Sequence, residues 1–227
     1  RRLCRKGYKT IIMRKIFTLL ALMVCLLTKA EIVLIDGLYY SLGSTTAQVV
    51  KDQTSDKSVY SAYTTITIPA SVTYNNYTYP VTSIGTSAFE ALTNLQSVTL
   101  PSSITAINTD AFYGCSNLKN VNLHEGLTTI NQRAFQYCKL TNITIPSTVS
   151  SIGNKAFQNN PTTSVTWLPK TCDTGSDDSA PFYSTSSKIT SFTFGDSVQT
   201  IPAYLCKPCG SGGSAPNITV RLISPSE

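Results

Sequence analysis

The sequence predicts a repeat solenoid, mainly parallel β with short helical or 3-10 turns, preceded by a β-rich N-terminal cap. Three observations predict it. Four consecutive segments of 22–23 residues align with one another without strain. Within each, apolar residues two apart mark a short strand with one buried face. Between strands an Ala-Phe pair recurs and marks the register. One such unit cannot bury its apolar face alone, so stacked units must share a continuous core.

Composition agrees. Of 227 residues 41% are apolar, enough to bury a sizeable core, and 13% are charged. That charged share is about half the usual ~25%, which excludes a charge-rich disordered chain or a coiled coil. Mean hydropathy is +0.02. The net charge of +6 is a property of one end, because residues 1–30 hold eight Lys or Arg and no acid. The remainder carries ten basic groups against 12 acidic ones, a net of −2. The electrostatic footprint of nucleic-acid binding is therefore missing, and no nucleic acid is expected as partner.

Residues 1–30 read as an address. Met13 opens a basic stretch, Arg14 and Lys15, followed by an apolar run from Ile16 to Leu27 and then Thr28-Lys29-Ala30. This is the three-part layout of a secretory signal peptide, with Ala30 at the cleavage position. The run of 12 residues is too short to span about 30 Å of hydrocarbon, so no membrane span is expected after cleavage. Residues 1–12 lie upstream as an extension. Met23 and Val24 precede Cys25 where a lipobox needs small residues, which argues against lipidation.

Residues 31–80 are expected to form the cap. Glu31 to Tyr40 and Ala47 to Val50 read as strands, and Val72 to Val81 reads as a hairpin around Asn75-Asn76. Seven of the 12 tyrosines fall here: Tyr39, Tyr40, Tyr60, Tyr63, Tyr74, Tyr77 and Tyr79. They are expected to cover the first rung, since every solenoid end must be closed. A sticky tyrosine patch is the other reading.

The repeats occupy residues 81–223. Phe89, Phe112, Phe135 and Phe157 are spaced by 23, 23 and 22 residues, and Ile84, Ile107, Ile130 and Ile152 keep the same steps. The pattern weakens after residue 170, where TCDTGSDDSA intrudes and the Ile rung is lost. Phe182, then Ile189, Phe192 and Phe194, then Ile218, Val220 and Leu222 resume it. Pro101, Pro146 and Pro169 end strands, because proline cannot donate to a ladder. The Ala-Phe segments are expected to make one helical or 3-10 turn. Residues 224–227 form a tail, and a chain cut short after Leu222 would leave its last strand as an open edge.

The motif I-G-x-x-A-F-x-x-C-x-x-L-x-x-V-x-L-P resembles the bacterial surface-antigen type of leucine-rich repeat, the BspA-like family. The match is specific over residues 81–169 and looser to about 223. The resemblance implies an exported, right-handed leucine-rich-repeat solenoid at a bacterial surface, with adhesion or host-protein binding as its usual role. It implies no catalytic residues.

Candidate chemistry is sparse. Cys206-Lys207-Pro208-Cys209 forms a C-x-x-C, open to redox, zinc or disulfide readings with Cys172. The repeat supplies a blander origin: Cys115, Cys138 and Cys209 each stand eight residues after a rung Ile. They are expected to be buried small hydrophobes. His124, the one histidine, replaces a strand-ending proline and has no motif partner for acid–base work. Asp173, Asp177 and Asp178 miss the spacing of a calcium loop. Nucleotide-loop, hydrolase-elbow and zinc-protease motifs are missing, so no enzyme, cofactor or metal is expected.

The pleat leaves one candidate binding surface. Ser97, Thr99, Asn120, Asn122, Asn142, Thr144, Ser164, Thr166, Ser191 and Thr193 should face solvent from successive strands. Such an uncharged row can hydrogen-bond a host extracellular protein or a glycan. The alternative is a scaffolding module of the bacterial envelope, self-associating through the C-terminal edge.

Overall fold

The computed structural model describes residues 30–54, 58–174, 180–182, 189–202, 205 and 219–222. The expected signal peptide, Cys206, Cys209, Asp177, Asp178 and the tail 224–227 lie outside the described residues.

The chain begins with an antiparallel hairpin, β1 (Glu31–Ile35) against β2 (Leu38–Leu42). It reverses at Asp36-Gly37, where φ is 48° and 81°. An Asp-Gly pair supplies the left-handed conformations that a two-residue hairpin needs. β3 (Ala47–Val50) returns antiparallel to β2. From β3 onwards the sheet turns parallel and becomes the Ile side of the coil. Its later strands are β6 (Tyr77–Ile84), β8 (Ala106–Ile107), β10 (Thr129–Ile130) and β12 (Ser151–Ile152). The expected hairpin around Asn75-Asn76 is present, with β5 (Ser71–Tyr74) folded against β6. Both turn residues are left-handed, at φ 50° and 65°.

The second side carries the candidate surface. β4 (Thr65–Thr67), β7 (Ser97–Thr99) and β9 (Asn120–Val121) form one parallel sheet. β11 (Asn142–Ile145), β13 (Ser164–Trp167), β14 (Ser191–Phe194) and β15 (Thr219–Leu222) form another. Most of their apolar residues point inward, and Val98, Ile143, Val165 and Phe192 are buried.

The third side departs from the expected helical turn. The Ala-Phe segments are consecutive hydrogen-bonded turns, not helix. Ser87, Asp110, Arg133 and Lys155, two residues before each Phe, have φ between 53° and 60°. Ala91, Gly114, Tyr137 and Asn159, two residues after, have φ between 59° and 72°. Left-handed residues at this spacing break a helix, since L-residues stack right-handed only. They also aim alternate N–H groups along the coil axis. Phe89 N–H donates to Ala111, Phe112 to Ala134, and Phe135 to Ala156, at 2.7–2.8 Å. The one described helix is a single turn in the cap, α1 (Ser58–Ser61).

The core is a stack of rings. Phe89, Phe112, Phe135, Phe157 and Phe182 lie 5.2–5.4 Å apart, nearly parallel through most of the column. Tyr60 from α1 closes the column at 5.3 Å from Phe89. Tyr60 and Tyr40 are buried, and Tyr39, Tyr63, Tyr74 and Tyr79 are half-buried, which is the capping role. Tyr77 alone of the seven is largely exposed, at 68%.

The ladders begin earlier and run later than the repeat motif. β3 pairs with β6 and β4 with β7, so residues 47–67 already make one coil, with Tyr60 on the Phe rung. After residue 170 the Ile rung is not lost. Asp173 bridges Ser151, which leaves Thr174 at the Ile position, buried. A threonine fits that slot because its methyl packs like a valine methyl.

Candidate functional site

The ten polar residues named from the pleat lie on one side, in register across strands. Asn142, Ser164 and Ser191 are successive partners, as are Thr144, Thr166 and Thr193. Thr99, Asn120, Asn122, Asn142 and Thr144 are exposed; Ser97, Ser164, Thr166, Ser191 and Thr193 are half-buried. Four further residues extend the rows, among them Thr219, which pairs with Ser191. Thr65 and Thr67 pair with Ser97 and Thr99, and Arg221 pairs with Thr193. The sequence hid Thr65 and Thr67, because β4 sits outside the repeat motif.

The rows are not one continuous sheet. β9 and β11 are neighbours in sequence order of the ladder, yet they exchange no ladder hydrogen bonds. A change in turn length coincides with it. Phe89 to Leu95 and Phe112 to Leu118 span six residues; Phe135 to Leu140 spans five, as does Phe157 to Thr162. The split falls where six gives way to five, although length alone does not decide pairing: Phe182 to Ile189 spans seven and β14 still pairs with β13. Across it Lys139 N–H reaches the carbonyl of Leu118 (2.9 Å) instead of continuing the regular register.

Asn122 ends β9 against β7. Its Oδ1 accepts from Leu100 N–H at 2.7 Å and its Nδ2 donates to the Leu100 carbonyl at 3.0 Å. The side chain thus takes the place of a main-chain partner, and β9 stops at Val121. Its amide is spent on the fold although the residue is exposed. Beyond it, Leu123 is only half-buried, as is Val121. Their counterparts Val98, Leu100, Ile143 and Ile145 are buried.

The result is a hollow of about 620 Å³ between β9 and β11. Its rim includes Thr99, Lys119, Asn120, Asn142 and Thr144, and its floor includes Val121, Leu123, Leu140 and Ile143. This volume is within the ~300–1,000 Å³ of ordinary ligand sites. Sequence reasoning selected the rim and missed the floor, which periodicity assigns to the core.

The other candidates separate. Cys115 and Cys138 are buried on one column, each donating to the carbonyl of the Phe one rung before, at 3.0 and 3.2 Å. Asn160 holds the next position and donates to the Phe135 carbonyl at 2.8 Å. Burial pushes the Cys115 thiol up to about 12 and raises that of Cys138. Burial likewise pushes Cys172 up to about 12, so none of the three is a ready thiolate. His124 Nδ1 sits 2.9 Å from the carbonyl of its neighbour Glu125. The Glu125 carboxylate turns instead to Ser147 and Thr148 of the next repeat. No acid–base pair results. Among the described residues no group of three metal-ligating side chains comes together.

On the turn side, Arg133 makes a two-pronged pair with Asp110, at 2.8 and 2.6 Å. It lies 5.7 Å from the centre of the Tyr113 ring, which meets Tyr137 edge to face. Stacking residues 23–24 apart, invisible without the coil register, created this cluster.

Residues 82–211 match the family model described as "BspA type Leucine rich repeat region", in six copies. The chain belongs to this BspA-type family. Solved structures agree on the fold. A leucine-rich repeat protein from Bacteroides ovatus is similar at 22% identity and TM-score 0.58, over 72% of this chain and 49% of that one. The pneumococcal vaccine antigen PcpA is similar at 18% identity and TM-score 0.50, over 85% and 49%. A leucine-rich cell surface protein from Faecalibacterium prausnitzii is 22% identical over 76% and 56%, with TM-score 0.46. The chain spans about half the length of the first two. None of the curated proteins matches it. The family model describes a repeat and names no reaction. Among the described residues no helix is long and apolar enough to cross a membrane.

Proposed function

We propose that this BspA-type chain is an exported binding module of a bacterial surface, holding a host extracellular protein or a glycan on its Ser/Thr/Asn face. The observation that carries the reading is the face itself. Rows of hydroxyls and amides stand in register within two sheets, β4-β7-β9 and β11-β13-β14-β15, on a frame whose other two sides are closed by their own ladders. Solenoids use such extended faces for binding. The layout of residues 13–30 and the family both support export.

The test is an array of extracellular-matrix proteins and glycans probed with the purified chain. The parallel sample carries Thr99→Lys, Asn120→Lys and Thr144→Lys, all exposed positions. Saturable binding that the variant loses, by at least about tenfold, is the expected result. Binding kept in the variant moves the site to another side, the Tyr113–Arg133–Tyr137 cluster first. A folded chain that binds nothing favours the scaffolding role, for which self-association is the readout.

A further inference from the structure

We infer that the hollow between β9 and β11 is a subsite for an extended peptide, which pairs its main chain with the vacant ladder positions and seats an apolar side chain on the floor. The inference rests on the binding-module reading and names the class of ligand for this part of the face.

Three observations carry it. The first is main-chain chemistry. In the neighbouring pair, Ser164 N–H donates to the carbonyl of Thr141, and strand partners continue in register to Trp167. The same register across β9 and β11 would join Asn142 N–H to the Lys119 carbonyl, Val121 N–H to the Asn142 carbonyl, and Thr144 N–H to the Val121 carbonyl. None of these bonds forms. Strand donors and acceptors on both walls are thus left for an outside partner, and a peptide in extended conformation presents the complementary set. This is strand addition at an interior break rather than at an outer edge.

The second is the floor. Val121 and Leu123 are half-buried, whereas their counterparts on the flanking rungs, Val98, Leu100, Ile143 and Ile145, are buried. A half-exposed aliphatic pair beside Leu140 and Ile143 suits an apolar side chain. The third is what the lining lacks. Glycan sites stack sugars on exposed aromatic rings, and the one ring that reaches this hollow, Phe157, is fully buried in the column. The rim carries a single cation, Lys119, and no acid, so neither a polyanion nor a basic peptide is favoured by charge.

The experiment selects random dodecapeptides displayed on phage against the purified chain, then measures synthetic copies of the winners. Expected are peptides sharing an apolar residue between uncharged strand-forming residues. At saturation they should slow hydrogen exchange at the amides of Val121, Asn142 and Thr144. Leu123→Lys, which places a charge in the half-buried floor, should weaken them by at least about tenfold. Thr105→Lys, exposed beside β8 on the Ile side of the coil, should change affinity less than about twofold.

Peptides that bind the Leu123→Lys variant unchanged would overturn the subsite. So would a chain that binds arrayed glycans or proteins but selects no peptide, and in that case the binding-module reading survives. If neither peptide nor array binds, both fall. A melting curve of Leu123→Lys separates lost binding from lost folding. Should that variant unfold, Val121→Thr, which keeps shape and adds a hydroxyl to the floor, gives the same discrimination.

Discussion

Asn160 shows how one residue holds several strands. It is fully buried, and its Oδ1 accepts from Leu140 N–H while its Nδ2 donates to the carbonyls of Phe135 and Phe157. Truncation to Ala strands these groups in a dry core, at a cost of about 1–3 kcal/mol. Asn160→Ala should therefore unfold at a lower urea midpoint with unchanged slope. Asn160→Cys, which restores the rung's hydrogen bond but not the acceptor for Leu140, should fall between. The buried thiols on the same column make a pH prediction. Cys115 titrates at about 12 in the fold, against about 8.5 in an unfolded chain. The fold keeps the proton longer, so this stabilisation is complete below about pH 8.5 and is lost as pH rises towards 12. Tyr40, raised to about 12 by burial with Asp36 adding to it, loses its share from about pH 10 upward. Stability should decline through this alkaline window, and iodoacetamide at pH 8 should modify Cys115 and Cys138 only as fast as the chain opens.

At the scale of the element, the break in strand pairing coincides with one step in turn length, which makes turn length testable as its cause. The split between β9 and β11 sits where six-residue turns give way to five-residue ones. Inserting a serine between Cys138 and Lys139 should give the third repeat the longer turn. The split, and the hollow with it, should then move to β11 and β13. Hydrogen exchange reads this directly: the amides of Asn142 and Thr144 gain protection while those of Ser164 and Thr166 lose it. If Ser164 and Thr166 stay protected, turn length is not the cause. The same segments explain why a helical turn was the wrong expectation. A run such as A-F-x-x-C has neither the length nor the Gly spacing that would announce two left-handed residues, and Gly114 is the one glycine among those eight positions. The inter-repeat hydrogen bonds impose that conformation on Ala, Tyr, Arg and Lys alike. The reading of Glu31 to Tyr40 as strand without a break was also wrong: Asp36-Gly37 turns the chain back there and makes a hairpin of β1 and β2.

The whole molecule behaves as a column of rings between ladders, so stability should depend on position along it. Phe135 has a ring on each side at 5.2 and 5.4 Å, and its replacement by Ala should cost about 3–5 kcal/mol. Phe182, which meets Phe192 edge-on at 6.3 Å, closes the described column. Phe182→Ala should cost less. In a nearest-neighbour array a break in the middle uncouples the two halves. Phe135→Ala should therefore melt in two steps and Phe182→Ala in one, as differential scanning calorimetry would show.

The sequence by itself determined the repeat, the stacked Phe and Ile columns, the polar rows and the membership that follows from them. These depend on spacing along the chain, and stacking copies of one spacing preserves it. Only the tertiary structure decided where the rows break, that Asn122 is spent on Leu100, that Thr174 fills an Ile slot, and that Val121 and Leu123 come to the surface. Those outcomes depend on the fit between one repeat and the next. That fit leaves no mark on either repeat alone, because it exists only between the main chain of one and the main chain of the next.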